Sequence, residues 1–204
     1  MEIIIVSLIV LLFSIVIHEV AHGSVAYSLG DSTAKDAGRL TLNPISHLDP
    51  IGSVMLPAFL IFLGGPVIGW AKPVPINPYN FNDPKWGDLK VSIAGPLANF
   101  FLALVFGLLV MFVSLPESFL VVSLLVIFYN VALGLFNLIP VPPLDGSHVL
   151  FSFLGEKGFG VRRFLEQYGF FLLLLLIFII PNGITWLFNL ANQVVYFFAG
   201  QLLF

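Results

Sequence analysis

Long apolar runs recur along this chain, and they limit its possible folds more than any other feature. Of its 204 residues, 59% are hydrophobic and 9% are charged, whereas soluble domains carry roughly 25% charged residues. A transmembrane helix needs about 20 consecutive apolar residues, and several runs approach or exceed that length. The clearest are residues 2–29, 91–113, 119–139 and 164–180, and a further run, residues 184–203, carries Asn189, Asn192 and Gln193. The sequence therefore predicts an all-α polytopic membrane protein.

A further apolar segment, residues 51–70, is interrupted by Pro57 and by Gly64–Pro66. The eight lysines and arginines all lie in three loops, and the positive-inside rule favours the cytoplasmic side for each loop. Six alternating spans would not bring the three loops to one side. We therefore expect residues 51–70 to be re-entrant, with a turn shielded by protein, which leaves five spans and an outside N-terminus. Six ordinary spans are the alternative.

Composition excludes several classes of function. The chain has no cysteine, so disulfides and thiolate metal sites are excluded. Its net charge is −3 and it has no basic cluster, which argues against a nucleic-acid partner. The N-terminus lacks the basic flank of a signal peptide, so we expect the first helix to remain as a membrane anchor. We predict a single domain over residues 1–204, in the cell membrane.

Two histidines and a glutamate interrupt the first apolar run in the stretch HEVAH, where they are His18, Glu19 and His22. Residues four apart share a helix face, so His18 and His22 can reach one ion, and imidazole nitrogens are good zinc ligands. Glu19 lies beside that face, where it can act as general base toward water. A chance H-E-x-x-H is expected in fewer than roughly one chain in a hundred of this length. The pattern thus indicates a zinc hydrolase site.

The alternative for each histidine alone is a satisfied polar residue at a helix interface. That reading is weak in lipid, where a buried carboxylate such as Glu19 costs several kcal/mol unless it is paired or functional. At 1.5 Å per residue, His18 lies about 23 Å from the start of the helix. We therefore expect a site inside the membrane and near its cytoplasmic face.

A catalytic zinc site usually has three protein ligands and one open position, so a third ligand is needed. The candidates are His47, Asp49, Asp145 and His148. The stretch NLIPVPPLDGSHVL ends an apolar helix with prolines, and Gly146 permits a tight turn that can aim Asp145 back into the protein. In the predicted topology both helices reach the cytoplasmic side, which is consistent with Asp145 meeting the two histidines.

Three stretches together resemble the site-2 protease family of intramembrane zinc metalloproteases. These are HEVAH, AGPLANF at residues 94–100 and NLIPVPPLDG at residues 137–146, and the loop GRLTLNPISHLDPIG is similar to that of short prokaryotic members. The resemblance covers about residues 15–150, which we take as the catalytic core, with accessory helices over about 164–203. It implies a protease that cleaves membrane-protein substrates in or near their transmembrane segments.

The resemblance also implies roles for individual residues. His18, His22 and Asp145 would bind one Zn²⁺ per chain, and Glu19 would be the catalytic carboxylate. Asn137 would position the scissile peptide or its oxyanion, although a helix-end cap is an equal alternative for an asparagine there. Asn99 is expected to form an interhelical hydrogen bond. His148 lies close enough to Asp145 to support the site, and His47 fits local turn hydrogen bonding.

Two other functions fit part of the pattern. A metal transporter or sensor also buries His and Glu in the membrane, but transporters commonly have paired repeats with matching broken helices, and this chain has one broken segment. A catalytically silent scaffold is the third possibility.

Loop residues 38–44 and 72–78 are expected to be extended segments on the cytoplasmic side, where an unwound substrate could pair with an exposed backbone edge.

Overall fold

A computed structural model of the chain describes residues 2–55, 59, 62 and 71–200, and every regular element in these residues is helical. The α-helices are α1 Glu2–Ser28, α2 Thr33–Asp36, α3 Gly87–Phe112, α4 Glu117–Asn137, α5 Asp145–Leu154, α6 Phe159–Leu174 and α7 Thr185–Ala199. Short 3₁₀ turns lie at Pro44–His47, Pro78–Asn80 and Gly155–Gly158, and π-helical turns lie at Pro50–Met55 and Leu175–Ile179. The all-α prediction is confirmed for the described part of the chain.

Three of the described helices are long and apolar enough to cross a membrane. They are α1 over Ile3–Ser28, α3 and α4, and they correspond to three of the five predicted spans. The other two predicted spans are shorter helices, because α6 gives way to a π-helical turn after Leu174 and α7 has 15 residues. The predicted turn in residues 51–70 falls on residues outside the described ranges, so the span count and the re-entrant segment stay predictions.

The end of α1 is set by Gly30. Its φ of +103° lies in the left-handed region, which glycine adopts without steric cost. Beyond it the amide of Asp31 donates to the carbonyl of Ala26 at 3.0 Å, which closes the last turn. The helix thus ends where the sequence predicted a glycine cap, and the chain turns into the loop that carries α2.

Helices α3 and α4 form the centre of the fold, with α1 packed on one side and α7 on the other. The core between α3, α4 and α7 is made of small, branched and aromatic apolar side chains. It includes Ala103, Val110, Ile127, Val131, Leu187, Ala191 and Phe198. Helix α3 also packs against α1, and its Gly95 and Asn99 lie next to the two histidines.

The segment from Lys72 to Asn77 crosses the end of α1 without forming a strand. The Lys72 amide donates to the His47 carbonyl at 2.9 Å, the Val74 amide to Glu19 Oε2 at 2.7 Å, and the Asn77 amide to Asp31 Oδ2 at 2.8 Å. Prolines at 73 and 75 have no amide hydrogen to contribute to a ladder. Separate hydrogen bonds to different partners therefore hold this segment.

Candidate metal centre

His18 and His22 lie one turn apart on α1, and their side chains meet inside the protein. Their Nε2 atoms are 3.0 Å apart, and the ring planes are nearly perpendicular, at 86°. Both residues are buried, with 5% and 6% of their surface exposed. The spacing of four residues therefore brings two imidazole nitrogens to a single point.

Asp145 completes a triangle with the two histidines. It is the first residue of α5, and its Oδ2 atom lies 3.1 Å from His18 Nε2 and 3.2 Å from His22 Nε2. These three residues are the group of His, Asp and Glu side chains in the described ranges whose ligand atoms are close enough to share one metal ion. Two elements that are distant in sequence thus contribute to one site.

A glycine next to Asp145 allows α5 to reach this position. A β-carbon on Gly146 would overlap the carbonyl group of Leu138, and it would lie 2.6 Å from the carbonyl oxygen of Ile139. Gly146 is not among the described glycines with positive φ, so the expectation that it permits a tight turn was wrong. Its role is steric, because the start of α5 rests directly on the backbone that follows α4.

The hydrogen bonds on the far side of each imidazole determine which ring nitrogen carries the proton. His18 Nδ1 faces Asn99 Oδ1 at 2.6 Å, and His22 Nδ1 faces the carbonyl oxygen of Val91 at 2.7 Å. Both partners are acceptors, so each Nδ1 donates its hydrogen, and in the neutral imidazole each Nε2 keeps a free lone pair. Metal-binding histidines usually have this arrangement.

When both imidazoles are neutral, three acceptor atoms therefore converge on one point. Asp145 Oδ2 is buried and has no hydrogen-bond donor in the described part of the chain. A tetrahedral zinc site with bonds of about 2.0 Å separates its ligands by roughly 3.3 Å, close to the observed triangle of 3.0, 3.1 and 3.2 Å. The residues present fit a zinc ion in both donor type and spacing.

Gly95 of α3 provides room for the two imidazole rings. A β-carbon at this position would lie 2.6 Å from His18 Cε1 and 2.7 Å from His18 Nδ1, and it would also overlap His22 Nε2. Non-bonded atoms do not come so close to a β-carbon in folded proteins. The backbone of α3 is thus packed against the histidine pair, and only glycine fits there.

Glu19 follows His18 on α1 and is held by a loop rather than by the ligand triangle. Its Oε2 atom accepts the hydrogen bond from the Val74 amide at 2.7 Å, and its side chain is half-buried. The flanking residues Pro73 and Pro75 limit the backbone at this point. A single main-chain amide therefore fixes the orientation of the carboxylate beside the histidines.

The other candidate ligands lie elsewhere. His47 is fully buried, but its Nε2 donates to the Thr41 carbonyl at 2.9 Å and its Nδ1 accepts from Arg39 at 3.4 Å. Asp49 Oδ1 accepts from the amide of Gly52 at 2.7 Å. His148 is exposed and pairs with Asp88 at 3.2 Å. None of the three joins the triangle.

Asn137 lies at the last turn of α4, where its Nδ2 donates to the Leu133 carbonyl at 3.0 Å. This is a hydrogen bond within its own helix, as expected for a helix-end residue. The role in substrate positioning that the resemblance implies stays a prediction.

Sequence reasoning missed several residues that support the site. Asn99 was expected to bridge helices, and it does so, but it also contacts His18 directly. Its partner Asn130, an asparagine within an apolar helix, was a signal that could have been followed. The Val91 carbonyl and the Val74 amide are main-chain groups, and no residue type indicates them. Gly95 lies within AGPLANF, but its steric role depends on how α3 packs against α1.

Known proteins are similar to this chain over most of its length. YwhC of Bacillus subtilis is 41% identical over 196 residues, which cover 90% of this chain and 84% of YwhC. Rip2 of Mycolicibacterium smegmatis is 31% identical over 182 residues, or 88% of this chain and 69% of Rip2. The names of both relatives assign them to the zinc metalloproteases. No solved structure has significant similarity to the chain.

A family model that matches part of the sequence gives the same assignment. The model of peptidase family M50 matches residues 117–178, which include α4, α5 and Asp145. HEVAH lies outside that range. The chain therefore belongs to peptidase family M50, the site-2 protease family.

Proposed function

We propose that this protein is a zinc-dependent intramembrane endopeptidase. The observation that carries the proposal is the convergence of His18 Nε2, His22 Nε2 and Asp145 Oδ2 in a triangle with sides of 3.0, 3.1 and 3.2 Å. Membership of family M50 and relatives named for zinc metalloprotease activity support the same chemistry.

In this proposal His18, His22 and Asp145 hold one zinc ion. Zinc, when bound, activates water at neutral pH and polarises the carbonyl of the scissile peptide. Glu19 is the general base: it takes a proton from the attacking water and delivers it to the leaving amine nitrogen. The Val74 amide bonds one oxygen of the Glu19 carboxylate, which limits rotation of the side chain and leaves its position reproducible between turnovers.

The position of the histidines suggests which peptide bonds are accessible. They lie within an apolar helix that is long enough to span a membrane, and a carboxylate at such a depth is usually functional. We infer that the substrate is a membrane protein cut in or near a transmembrane segment, and that the active site of this multi-pass enzyme lies near the cytoplasmic face. Asn137, at the end of α4, is proposed to contact the substrate backbone there.

Metal analysis of the detergent-purified protein tests the proposal. We expect one zinc per chain in the wild type, a large loss in His18→Ala and Asp145→Ala, and retention in Glu19→Gln. His148→Ala is the matched control, since this histidine follows Asp145 by one turn and pairs with Asp88 instead.

Peptide-bond cleavage is the second readout. Wild-type protein reconstituted with membrane-protein substrates should cleave them, whereas Glu19→Gln should retain zinc and lose hydrolysis by about 100-fold or more, as expected for a general base. Loss of zinc in Glu19→Gln with retention in Asp145→Ala would identify Glu19 as a ligand. That outcome would overturn the proposed site and favour the metal-transport reading.

A further inference from the structure

Two fully buried asparagines connect the histidine pair to the neighbouring helices. Asn99 of α3 and Asn130 of α4 each have 0% of their surface exposed, although both lie inside apolar helices. Asn99 Oδ1 contacts His18 Nδ1 at 2.6 Å, and Asn99 Nδ2 donates to Asn130 Oδ1 at 2.8 Å. Burying polar groups in an apolar environment is costly unless every group is paired. The paired amides therefore link His18 to both α3 and α4.

The number of hydrogens on each group determines which group donates and which accepts in every bond of this network. Asn130 Nδ2 donates to Ser14 Oγ at 2.8 Å and to the Val126 carbonyl at 2.9 Å, which uses both of its hydrogens. Ser14 Oγ in turn donates its single hydrogen to the Val10 carbonyl at 2.8 Å. The remaining atom of the Asn130 amide, Oδ1, has no hydrogen and can only accept. It must therefore face the amino group of Asn99.

The acceptor role of Asn130 Oδ1 fixes the orientation of the Asn99 amide. Its Nδ2 donates one hydrogen to Asn130 Oδ1 and the other to the Ser14 carbonyl at 3.2 Å. The Asn99 oxygen consequently faces His18 and accepts the hydrogen of Nδ1. If the Asn99 amide turned over, its amino group would point at Nδ1, and the His18 proton would move to Nε2, where it would block the lone pair that faces His22 and Asp145.

We propose that Asn130 is a positioning residue that holds Asn99 in the orientation which keeps His18 Nε2 unprotonated and able to bind metal. The inference rests on the proposed function, because it concerns the affinity of the same zinc site. Among the described residues, Asn130 forms hydrogen bonds with Asn99, Ser14 and Val126 and with neither His18 nor Asp145, so it acts through the orientation of Asn99. Partners of this kind typically change metal affinity by about 10- to 100-fold when they are removed.

Two substitutions at position 130 separate this role from simple packing. Asn130→Leu removes the acceptor for Asn99 Nδ2. Asn130→Asp, neutral when buried, keeps that acceptor in its carbonyl oxygen and supplies a hydroxyl in place of the amino group. Ser123→Ala is the matched control: Ser123 is also buried on α4, but its hydroxyl bonds only the Phe119 carbonyl of the same helix among the described residues.

Zinc affinity is measured by chelator competition in detergent. We expect Asn130→Leu to weaken zinc binding by about tenfold or more, Asn130→Asp to remain within about threefold of wild type, and Ser123→Ala to be unchanged. The second readout is nitrogen NMR of the metal-free protein labelled with ¹⁵N-histidine, which has only four histidines to resolve. His18 should carry its proton on Nδ1 in the wild type and in Asn130→Asp, and shift toward Nε2 in Asn130→Leu.

The outcomes distinguish this inference from the proposed function. A wild-type protein that binds no zinc would overturn the proposed function and this inference with it. Wild-type zinc binding with unchanged affinity and His18 tautomer in Asn130→Leu would overturn the inference alone. Equal losses in Asn130→Leu and Asn130→Asp would also overturn it, since they would indicate that position 130 matters for packing and not as an acceptor.

Discussion

At the scale of single residues, the site depends on the absence of a β-carbon at Gly95 as much as on the ligands. His18 and His22 can approach each other and Asp145 because α3 presents no side chain at Gly95. The imidazole rings fill the space that a β-carbon would need. A methyl group at that point would displace the nitrogens that the triangle requires.

We therefore expect Gly95→Ala to abolish stoichiometric zinc binding, measured as metal per chain after purification. The matched control is Gly160→Ala in α6, where a β-carbon would meet nothing within 4 Å; alanine there should leave zinc content unchanged and favour the helix by up to about 1 kcal/mol. Wild-type zinc content in Gly95→Ala would contradict the packing of α3 against the histidines.

Residue identity predicted part of this site directly. The HEVAH spacing was enough to bring His18 and His22 together, because four residues make about one helical turn. Asp145 was one of four candidates until the resemblance singled it out. The hydrogen bond between Asn99 and His18 could not be predicted from the residues alone, since it depends on the register between α1 and α3.

At the scale of elements, a single buried carboxylate holds the loop after α1 to the segment before α3. Asp31 accepts hydrogen bonds from the Thr33 amide and hydroxyl, the Asn77 amide and Asn80 Nδ2. Burial raises the pKa of the Asp31 carboxyl, but these hydrogen bonds outweigh burial and lower its pKa below the ordinary value. The ionised form is thus the one that the fold stabilises.

The lowered pKa of Asp31 makes the stability of the fold depend on pH. Because the pKa of Asp31 is lower in the folded state than in the unfolded state, its contribution to stability is complete above the unfolded value of about 4 and is lost as the pH falls through the folded value. We expect the thermal unfolding temperature in detergent to fall on acidification below about pH 4, and to fall less steeply in Asp31→Ala.

At neutral pH, Asp31→Ala itself should lower the free energy of unfolding by about 1–3 kcal/mol for each donor left unsatisfied. Asp36→Ala is the control, since Asp36 is an exposed acid on α2 that bonds only Ser32 in the described ranges. Equal melting curves for Asp31→Ala and Asp36→Ala would contradict the role of Asp31 as the link between the two segments.

The elements themselves were predicted unevenly. Apolar runs located α1, α3 and α4 to within a few residues, but α3 begins earlier than predicted because its first turn, Gly87–Lys90, is polar. The sequence predicts one span over residues 164–180, whereas α6 ends at Leu174 and a π-helical turn follows. Hydropathy could not predict this change, because it is a change in backbone hydrogen bonding and not in the polarity of the side chains. The short helix α5 was not predicted, because ten residues after a proline-rich turn give little periodic signal.

At the scale of the whole molecule, the candidate ligands join α1 and α5, two helices that each pack against α3. His18 and His22 belong to α1, while Asp145 begins α5. A ligand that binds only the folded state stabilises it, by about 2.7 kcal/mol at a free concentration 100 times Kd. Zinc should therefore stabilise the fold as well as support catalysis.

We expect chelator treatment to lower the thermal unfolding temperature of the purified protein by several degrees, and added zinc to restore it. Asp145→Ala should unfold at a temperature that the chelator does not change. Identical unfolding temperatures for the wild type with and without chelator would argue against a metal that bridges α1 and α5.

The distance along the chain between the ligands has a consequence for biosynthesis. About 120 residues separate His22 from Asp145, and translation at roughly 5–20 residues per second makes the third ligand some 6–25 seconds after the first two. Until α5 has been made and has packed against α3, the nascent chain offers only two imidazoles, half of a tetrahedral site. The order of synthesis thus delays completion of the candidate metal site until α1, α3 and α4 have all been made.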